Sequence, residues 1–207
     1  MIAAAALKGS HMKNMLKAIA AVVLLGLAGC AGTDFVRPDA ESFKNGQTTY
    51  AQVLARMGTP RQEGTALVND KNVKTATYAY AAAGGAPRRP GVTPARAQSF
   101  YFFNDVLVGH EFISSFADDH SDFDEGKVQG IVKGKTTRAQ LVQLVGRPNG
   151  AQIYPLIKSQ KGEAATYSYV HMTGSVFTAK FYRKKLVVTF EGDVATDVEY
   201  TSQGTPE

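Results

Sequence analysis

The feature that most constrains the fold of this chain is an internal repeat at a constant offset of 88 residues. Residues 46–60 align with residues 134–148, and seven of the fifteen positions are identical. The shared residues include the first glycine, two consecutive threonines, a second glycine and a proline, so helix signals and turn signals coincide in both copies. A repeat of this kind predicts that one structural unit is built twice.

Each copy of the repeat predicts a short helix with a defined start and end. Thr49 and Thr137 are candidate N-caps, and each is followed three residues later by a glutamine, which is the capping-box spacing. Gly58 and Gly146 suit a C-terminal cap with left-handed backbone. A proline two residues after each glycine then stops the helix.

After each predicted helix the sequence changes to strand patterns rich in aromatic and β-branched residues. The predicted strands are 76–80, 99–108 and 111–116 in the first copy, and 165–169, 179–190 and 195–201 in the second. We expect turns at 104–105 and at 183–185. The predicted fold class is therefore α+β, with two tandem repeats, each of short helices packed on an antiparallel sheet of about three strands.

The N-terminal region reads as a secretion signal that ends at Cys30, the only cysteine of the chain. Lys13 and Lys17 precede an apolar run over residues 18–27, which is too short to span a bilayer, since about 20 residues are needed. Residues 27–30 read Leu-Ala-Gly-Cys and resemble the bacterial lipobox, in which the cysteine thiol is acylated. This pattern predicts lipid attachment at Cys30. A buried free cysteine in an ordinary secretory signal is the alternative.

These signals divide the chain into six parts. Residues 1–11 are interpreted as an expression tag, because residues 9–12 read Gly-Ser-His-Met, and residues 12–29 as a lipoprotein signal peptide. Residues 30–44 are expected to form a tether, 45–117 the first α+β repeat, 118–127 an acidic linker and 128–203 the second repeat.

The charge balance of the mature chain argues against nucleic acid as a partner. The formal net charge of the whole chain is +5, but three of its 23 basic side chains and no acidic one precede Cys30. The mature part then has 20 basic against 18 acidic side chains, a net charge of +2. This balance removes the electrostatic support for phosphate binding.

Two segments outside the predicted elements are candidates for function. Residues 84–94 hold three prolines and three glycines and form a predicted surface loop made basic by Arg88, Arg89 and Arg96. A binding role for this loop is open, although a solvated, flexible loop is the default interpretation. The acidic segment from Asp118 does not match the ligand spacing of a calcium loop, so a solvated connector is expected there and no metal site.

Catalytic patterns are weak throughout. Residues 130–136 approach a phosphate loop, but only three residues separate the two glycines where four are required. His110, His120 and His171 lack metal-type spacing. A site assembled in three dimensions near His110 or His171 is the third alternative for function. The sequence therefore predicts no catalytic residues, no cofactor, no small-molecule substrate and no enzyme activity.

The spacing Gly-x-Thr, a helix, Gly-x-Pro, then Tyr-x-Tyr and an aromatic strand such as Tyr101-Phe102-Phe103 resembles the SmpA/OmlA (BamE) family of outer-membrane lipoproteins. Residues 36–39, Val-Arg-Pro-Asp, resemble a segment near the start of the mature proteins of that family. A related double repeat is the architecture of the β-lactamase inhibitory protein. The resemblance implies a non-enzymatic role in assembling or maintaining outer-membrane proteins. Ala31 after the cysteine, in place of aspartate, suggests the outer membrane, facing the periplasm.

The expected working surface is a concave sheet face built from aromatic and arginine side chains, the types enriched at interface hot spots. The candidate contact residues are Tyr78, Tyr80, Tyr101, Arg88, Arg89, Tyr167, Tyr169 and Tyr182. For each tyrosine, burial inside the fold is the competing interpretation. The predicted function is a lipid-anchored scaffold or assembly factor that contacts envelope or outer-membrane proteins, and the alternative is an inhibitor or sensor that binds a periplasmic enzyme.

Overall fold

The computed structural model describes residues 32–82, 84–174 and 178–204, and the architecture below belongs to the unit that spans 33–207. Two α-helices are present in the described part: α1 (Tyr50–Met57) and α2 (Arg138–Val145). Two 3-10 turns lie at Ala40–Ser42 and Glu125–Gly130. The strands are β1 (Gln62–Val68), β2 (Lys71–Ala81), β3 (Ala95–Phe103), β4 (Val106–Ser114), β5 (Gly150–Ile153), β6 (Glu163–Thr173), β7 (Lys180–Glu191) and β8 (Val194–Gln203).

Both predicted helices and both predicted capping boxes are confirmed. The hydroxyl of Thr49 accepts from the Gln52 N–H and the Gln52 side chain accepts from the Thr49 N–H, and the same pair of bonds forms between Thr137 and Gln140. The C-cap glycines take positive φ angles of 76° at Gly58 and 100° at Gly146. Their ψ angles of −159° and −174° place them in an extended region open essentially only to glycine, not in the left-handed helical region that was expected.

The hairpin turns follow the strand predictions in the first half and differ in the second. Asn104 and Asp105 have φ angles of 51° and 61°, which is typical of the type I′ turn that joins β3 to β4 as expected. The turn predicted at 183–185 is wrong, because these residues lie in the middle of β7. Lys184 there is only 4% exposed, and the chain turns instead at Gly192 and Asp193.

The fold-class prediction of two repeats, each on its own sheet of about three strands, is wrong. All eight strands form one antiparallel sheet in the order β1 to β8. The short strand β5 joins the halves, since it pairs with β4 through Gly109↔Gln152 and with β6 through Gly150↔Thr166. In two separate sheets, β4 and β6 would each be an edge strand with unpaired backbone N–H and C=O groups. In the continuous sheet, hydrogen bonds to β5 satisfy these groups.

Two strands that the sequence did not predict explain much of this error. β5 has only four residues, Gly-Ala-Gln-Ile, which is too short to show an alternating pattern. β1 contains Gly64, and six of its seven residues are exposed, so it carries no buried side of its own. The positions of both strands are fixed by their pairing with neighbouring strands of the sheet.

The helices and two apolar clusters lie on one face of the sheet, here called the covered face. The cluster under α1 contains Val53 and Phe100, and the cluster under α2 contains Leu141 and Leu186, all 1% exposed or less. Burying a large apolar side chain contributes about 1.5–3 kcal/mol, so these clusters hold the helices to the sheet.

The segment 34–43, here called the strap, also packs on the covered face. The Phe35 ring meets Phe112 edge-on with centroids 6.5 Å apart, and Phe43 meets Phe100 at 4.8 Å. The Arg37 guanidinium lies 4.8 Å from the Phe112 ring centroid. The second half of the expected tether is therefore attached to the domain.

Candidate protein-binding surface

The face of the sheet opposite the helices, here called the open face, is the candidate binding surface. Tyr78 and Tyr167 point to the covered face, because their hydroxyls donate to the C-cap carbonyls Gly58 O and Gly146 O, each at 2.8 Å. Side chains alternate between the faces along each strand. Thr77, whose hydroxyl lies 3.2 Å from that of Ser99, is therefore on the open face.

A polar network occupies the centre of the open face. The Ser168 hydroxyl donates to Glu111 Oε1 at 2.7 Å, and the Lys185 ammonium lies 3.0 Å from the same oxygen. Glu111 is 7% exposed, and its neighbour Thr166 is fully buried. A charge pair this desolvated fixes the local geometry of the sheet and presents Lys185, which is about one third exposed, to a partner.

Exposed aromatic and basic side chains border this network on β7. Phe181 is 62% exposed, one of the most exposed large apolar side chains of the described residues, and it lies opposite the partly buried Met172. Arg183 is exposed two residues further on, opposite Val170. Aromatic and arginine side chains around an apolar patch are the composition of interface hot spots.

The loop between β5 and β6 closes one end of the open face. The Asn69 side-chain amide donates to Pro155 O at 2.8 Å and to Ile157 O at 3.2 Å. Ile157 is 7% exposed. Between this loop and strands β7 and β8 lies a cavity of about 530 Å³ that Lys185 and Asp197 also line. A partner's side chain fits a cavity of this size.

Four of the predicted contact tyrosines do not lie on an accessible surface. Tyr78, Tyr167, Tyr169 and Tyr182 are between 0% and 6% exposed and point to the covered face. The reason is the alternation of side chains along β7: Tyr182 lies on the same side as Leu186, which packs under α2, so the tyrosine points inward and Phe181 outward. These four tyrosines therefore belong to the core and are not part of an accessible contact surface.

The other two predicted tyrosines are half-buried and lie on opposite faces. Tyr80 is on the covered side, where its ring stacks on Phe116 with centroids 6.1 Å apart and an interplanar angle of 4°. Tyr101 is on the open face, and burial raises the pKa of its hydroxyl to about 12. Of the six tyrosines named from the sequence, Tyr101 alone faces the candidate surface.

The proline- and glycine-rich loop is held against the sheet instead of being solvated and flexible. The Arg88 N–H donates to Ser115 O at 2.8 Å, and the Thr93 N–H donates to Met172 O at 3.3 Å. Arg88 has an exposed side chain, whereas the Arg89 guanidinium donates to Asp122 Oδ2 at 2.9 Å. The loop thus spans the gap between the ends of β4 and β6, where β5 does not reach.

The acidic segment is likewise packed, contrary to the solvated connector that was expected. Asp119 Oδ2 lies 3.1 Å from the Arg96 guanidinium, whose side chain is 12% exposed. Asp122 pairs with Arg89 and with the buried Lys184. Burial alone would raise the pKa of Asp122, but the bonds from Lys184 and Arg89 dominate and lower it. The linker carboxylates therefore neutralise cations of the sheet.

A cleft of about 430 Å³ lies on the covered face beside the strap, and His110 lines it. Burial, and then the charge of Arg37, lowers the pKa of His110, which favours the neutral imidazole. His171, the other histidine considered as part of an assembled site, is 3% exposed and lies 5.4 Å from both the Tyr169 and the Tyr182 ring. His110 and His171 therefore lie in different environments, His110 in the cleft beside the strap and His171 between two buried tyrosine rings.

The lipid-attachment prediction is not tested by the described residues, and the metal and membrane-helix findings concern these residues alone. Cys30 lies outside the described residues. Among residues 32–82, 84–174 and 178–204, no group of three or more histidine, cysteine, aspartate or glutamate side chains is arranged to hold a metal ion. No helix within these ranges is long and apolar enough to cross a membrane.

Sequence reasoning missed Phe181, Arg183, Lys185 and Glu111. Glu111 and Phe181 lie on predicted strands, but only the register of the sheet tells which residues face outward. Arg183 and Lys185 fall at the turn wrongly predicted at 183–185. The nearest signal was the alternation in β7, where Phe181 and Tyr182 are equally good candidates from sequence.

Comparison with known proteins identifies no family for this chain. No family model and no curated protein matches the chain. One solved structure that is similar in shape is titled "putative beta-lactamase inhibitor protein" from Streptococcus mutans. It is 10% identical, with a TM-score of 0.37, and the match covers 74% of this chain and 82% of that one. A likeness at this level carries no argument about function.

Proposed function

We propose that this chain is a lipid-anchored protein of the bacterial cell envelope that acts by binding other proteins through its open face. The observation that carries the binding part is the exposed Phe181, 62% accessible, beside Arg183 and on the same face as the Glu111–Lys185 pair. A rigid sheet with an aromatic anchor and fixed charges is suited to protein recognition.

The anchoring part of the proposal is supported by the sequence Leu-Ala-Gly-Cys at residues 27–30 behind a basic and apolar segment. Acylation of Cys30 would hold the protein at the membrane, because each buried methylene contributes about 0.8 kcal/mol and several acyl chains add up. Ala31 favours the outer membrane, and the resemblance to the SmpA/OmlA family favours a role in the assembly or maintenance of outer-membrane proteins.

An inhibitor or sensor of a soluble periplasmic enzyme is the second candidate function. The cavity of about 530 Å³ beside Lys185 favours it, since a single partner side chain inserted there would give a specific one-to-one complex. Both candidates use the same face of the sheet and differ in the class of protein that they bind.

Site-specific photo-crosslinking in bacterial cells separates these candidates. A photoreactive amino acid at Phe181 is expected to crosslink strongly, whereas the same group at Val142, 40% exposed on α2, is the matched control on the covered side. Products dominated by outer-membrane proteins support the assembly role, and products dominated by one soluble enzyme support the inhibitor role. Equal, low yields at both positions contradict binding through the open face.

The anchor is tested separately with Cys30→Ser. Wild-type protein is expected to incorporate a clickable palmitate analogue and to fractionate with the outer membrane, and the variant is expected to lose both properties. Wild-type protein found in the cytoplasm with an unmodified thiol contradicts the proposed localisation.

A further inference from the structure

The strap is separated from the proposed point of lipid attachment, Cys30, by only a few residues of chain. Phe43 is 5% exposed and packs on Phe100, and the Arg96 guanidinium donates to Phe35 O at 3.3 Å. The segment from Phe35 onward is therefore held to the sheet. Only five peptide steps separate Phe35 from Cys30, and a chain of that length spans at most about 17 Å even when fully extended.

The strap enters at one particular rim of the sheet. Phe35 and Asp34 contact Arg96, the second residue of β3, which pairs with Tyr80 near the end of β2 and with Ser114 at the end of β4. The loop containing Arg88 is bonded to the same rim through Ser115. We call this the strap rim.

The opposite rim carries the hairpin turns at 69–70 and 104–105. Leu67 pairs with Asn72, eight residues along β2 from Tyr80. At about 3.3 Å per residue, Leu67 lies about 25 Å further from the strap rim along the strand.

We propose that the strap rim faces the bilayer surface, so that β2, β3 and β4 stand away from the membrane and the far hairpins point into the aqueous space. The inference rests on the proposed lipid attachment at Cys30. The partner is a phospholipid headgroup layer, and the side chains nearest to it are Val36, 86% exposed, and the exposed Arg88.

The charged side chains at this rim balance, because Arg37, Arg88 and Arg96 are matched by three aspartates. Asp34, Asp118 and Asp119 all lie within 4.0 Å of the Arg96 guanidinium. Arg88 has an exposed side chain at this rim, and arginine near an anionic surface is attracted to it. The Arg37 guanidinium lies over the Phe112 ring on the covered face instead. With this rim at the membrane, the open face points sideways, where a partner at the same membrane can reach it.

The inference is tested with acylated protein in phosphatidylcholine and phosphatidylglycerol vesicles. Acylated Cys30 has no free thiol, so Val36→Cys or Leu67→Cys introduces one labelling site each, at positions of similar exposure (86% and 71%). A fluorophore at Val36→Cys is expected to be quenched at least threefold more by headgroup nitroxide lipids than one at Leu67→Cys. Equal quenching at the two sites overturns the inference.

The same experiment separates the inference from the proposal on which it rests. If the thiol-reactive label enters the wild-type protein, Cys30 is not acylated, and the proposed anchor and this inference both fall. If wild-type protein takes no label but the two sites are quenched equally, the anchor stands and the orientation is wrong.

Ten glycine and serine residues inserted after Thr33 are expected to lower quenching at Val36→Cys to the level at Leu67→Cys. Unchanged quenching contradicts an orientation set by the short spacer.

Discussion

The ammonium of Lys184 lies 2.7 Å from Asp122 Oδ1 in the interior between β7 and the acidic segment. Lys184 is 4% exposed, and its ammonium also lies 4.7 Å from the Phe123 ring centroid. Arg89 donates to the other oxygen of Asp122. Asp122, in the segment between the two halves, thus neutralises Arg89 from the loop of the first half and Lys184 from β7 of the second.

Removing the charge of Asp122 is expected to destabilise the domain strongly. Asp122→Asn leaves the buried Lys184 without its counter-charge, and breaking a buried pair from one side costs about 3–5 kcal/mol. The free energy of unfolding from urea titration measures this loss. Asp105→Asn is the matched control, because asparagine tolerates the positive φ of 61° in that turn, and a change within about 0.5 kcal/mol is expected. Equal effects of both variants contradict the role of the pair.

Acid is expected to weaken the fold through the same carboxylate. The pKa of Asp122 is lowered in the folded state, despite the opposing effect of burial, by bonds from Lys184 and Arg89. A lowered pKa means that its contribution is complete above the unfolded value of about 3.9 and is lost as the pH falls through the folded value. The urea midpoint of the wild type should therefore fall below about pH 4. The urea midpoint of Asp122→Asn should fall less over the same pH range. Parallel curves of urea midpoint against pH for the two proteins contradict the assignment of this acid sensitivity to Asp122.

The two capping boxes are expected to contribute similar amounts to stability. Thr49→Ala and Thr137→Ala each remove a hydroxyl acceptor and should each cost about 1 kcal/mol, because one N–H of the first helical turn loses its partner. Urea denaturation provides the measurement. Serine at either position retains the acceptor and serves as the control. A serine variant that is as unstable in urea as the alanine variant argues against capping.

The tyrosine hydroxyls that bond the C-cap glycines are expected to stay protonated in alkali. Burial raises the pKa of Tyr78 to about 12, and its hydroxyl donates to Gly58 O. Because the folded pKa exceeds the unfolded value of about 10, stability is complete below pH 10 and declines as the pH rises towards 12. Tyr78→Phe should lose about 1 kcal/mol at neutral pH and show a shallower alkaline decline, measured by circular dichroism at several pH values.

The strap is expected to depend on Phe43 and not on Val36. Phe43→Ala removes a 5% exposed ring from the cluster under α1 and should cost about 3–5 kcal/mol, with faster tryptic cleavage after Lys44. Val36→Ala, at an 86% exposed position, should leave both the unfolding free energy and the cleavage rate unchanged. Rapid cleavage of the wild type after Lys44 contradicts an attached strap.

The local elements could be predicted from the sequence because their signals are local. Thr49 and Gln52 are three residues apart, and the turn residues Asn104 and Asp105 are adjacent, so the chain itself brings each set of groups together. The basic loop and the acidic segment could not be predicted in the same way. Their composition suggested solvation, but Arg89 and Asp122, 33 residues apart in sequence, neutralise each other.

The candidate surface was only partly foreseen for a related reason. Aromatic enrichment indicated strands but not which side of each strand faces outward, and a shift of one residue exchanges the two faces. Tyr101 was placed on the open face, whereas Tyr169 and Tyr182 became core and Phe181 took the exposed position.

The sequence by itself determined the two capped helices, the turn between β3 and β4 and a lipobox-like tetrad at Cys30, since each depends on residues that are close along the chain. Only the tertiary structure decided that the two halves share one sheet, which side chains face outward and where the strap lies. Those outcomes depend on groups that meet from distant positions, such as Gly109 with Gln152 across β4 and β5 and Lys184 with Asp122, and no local pattern encodes such pairings.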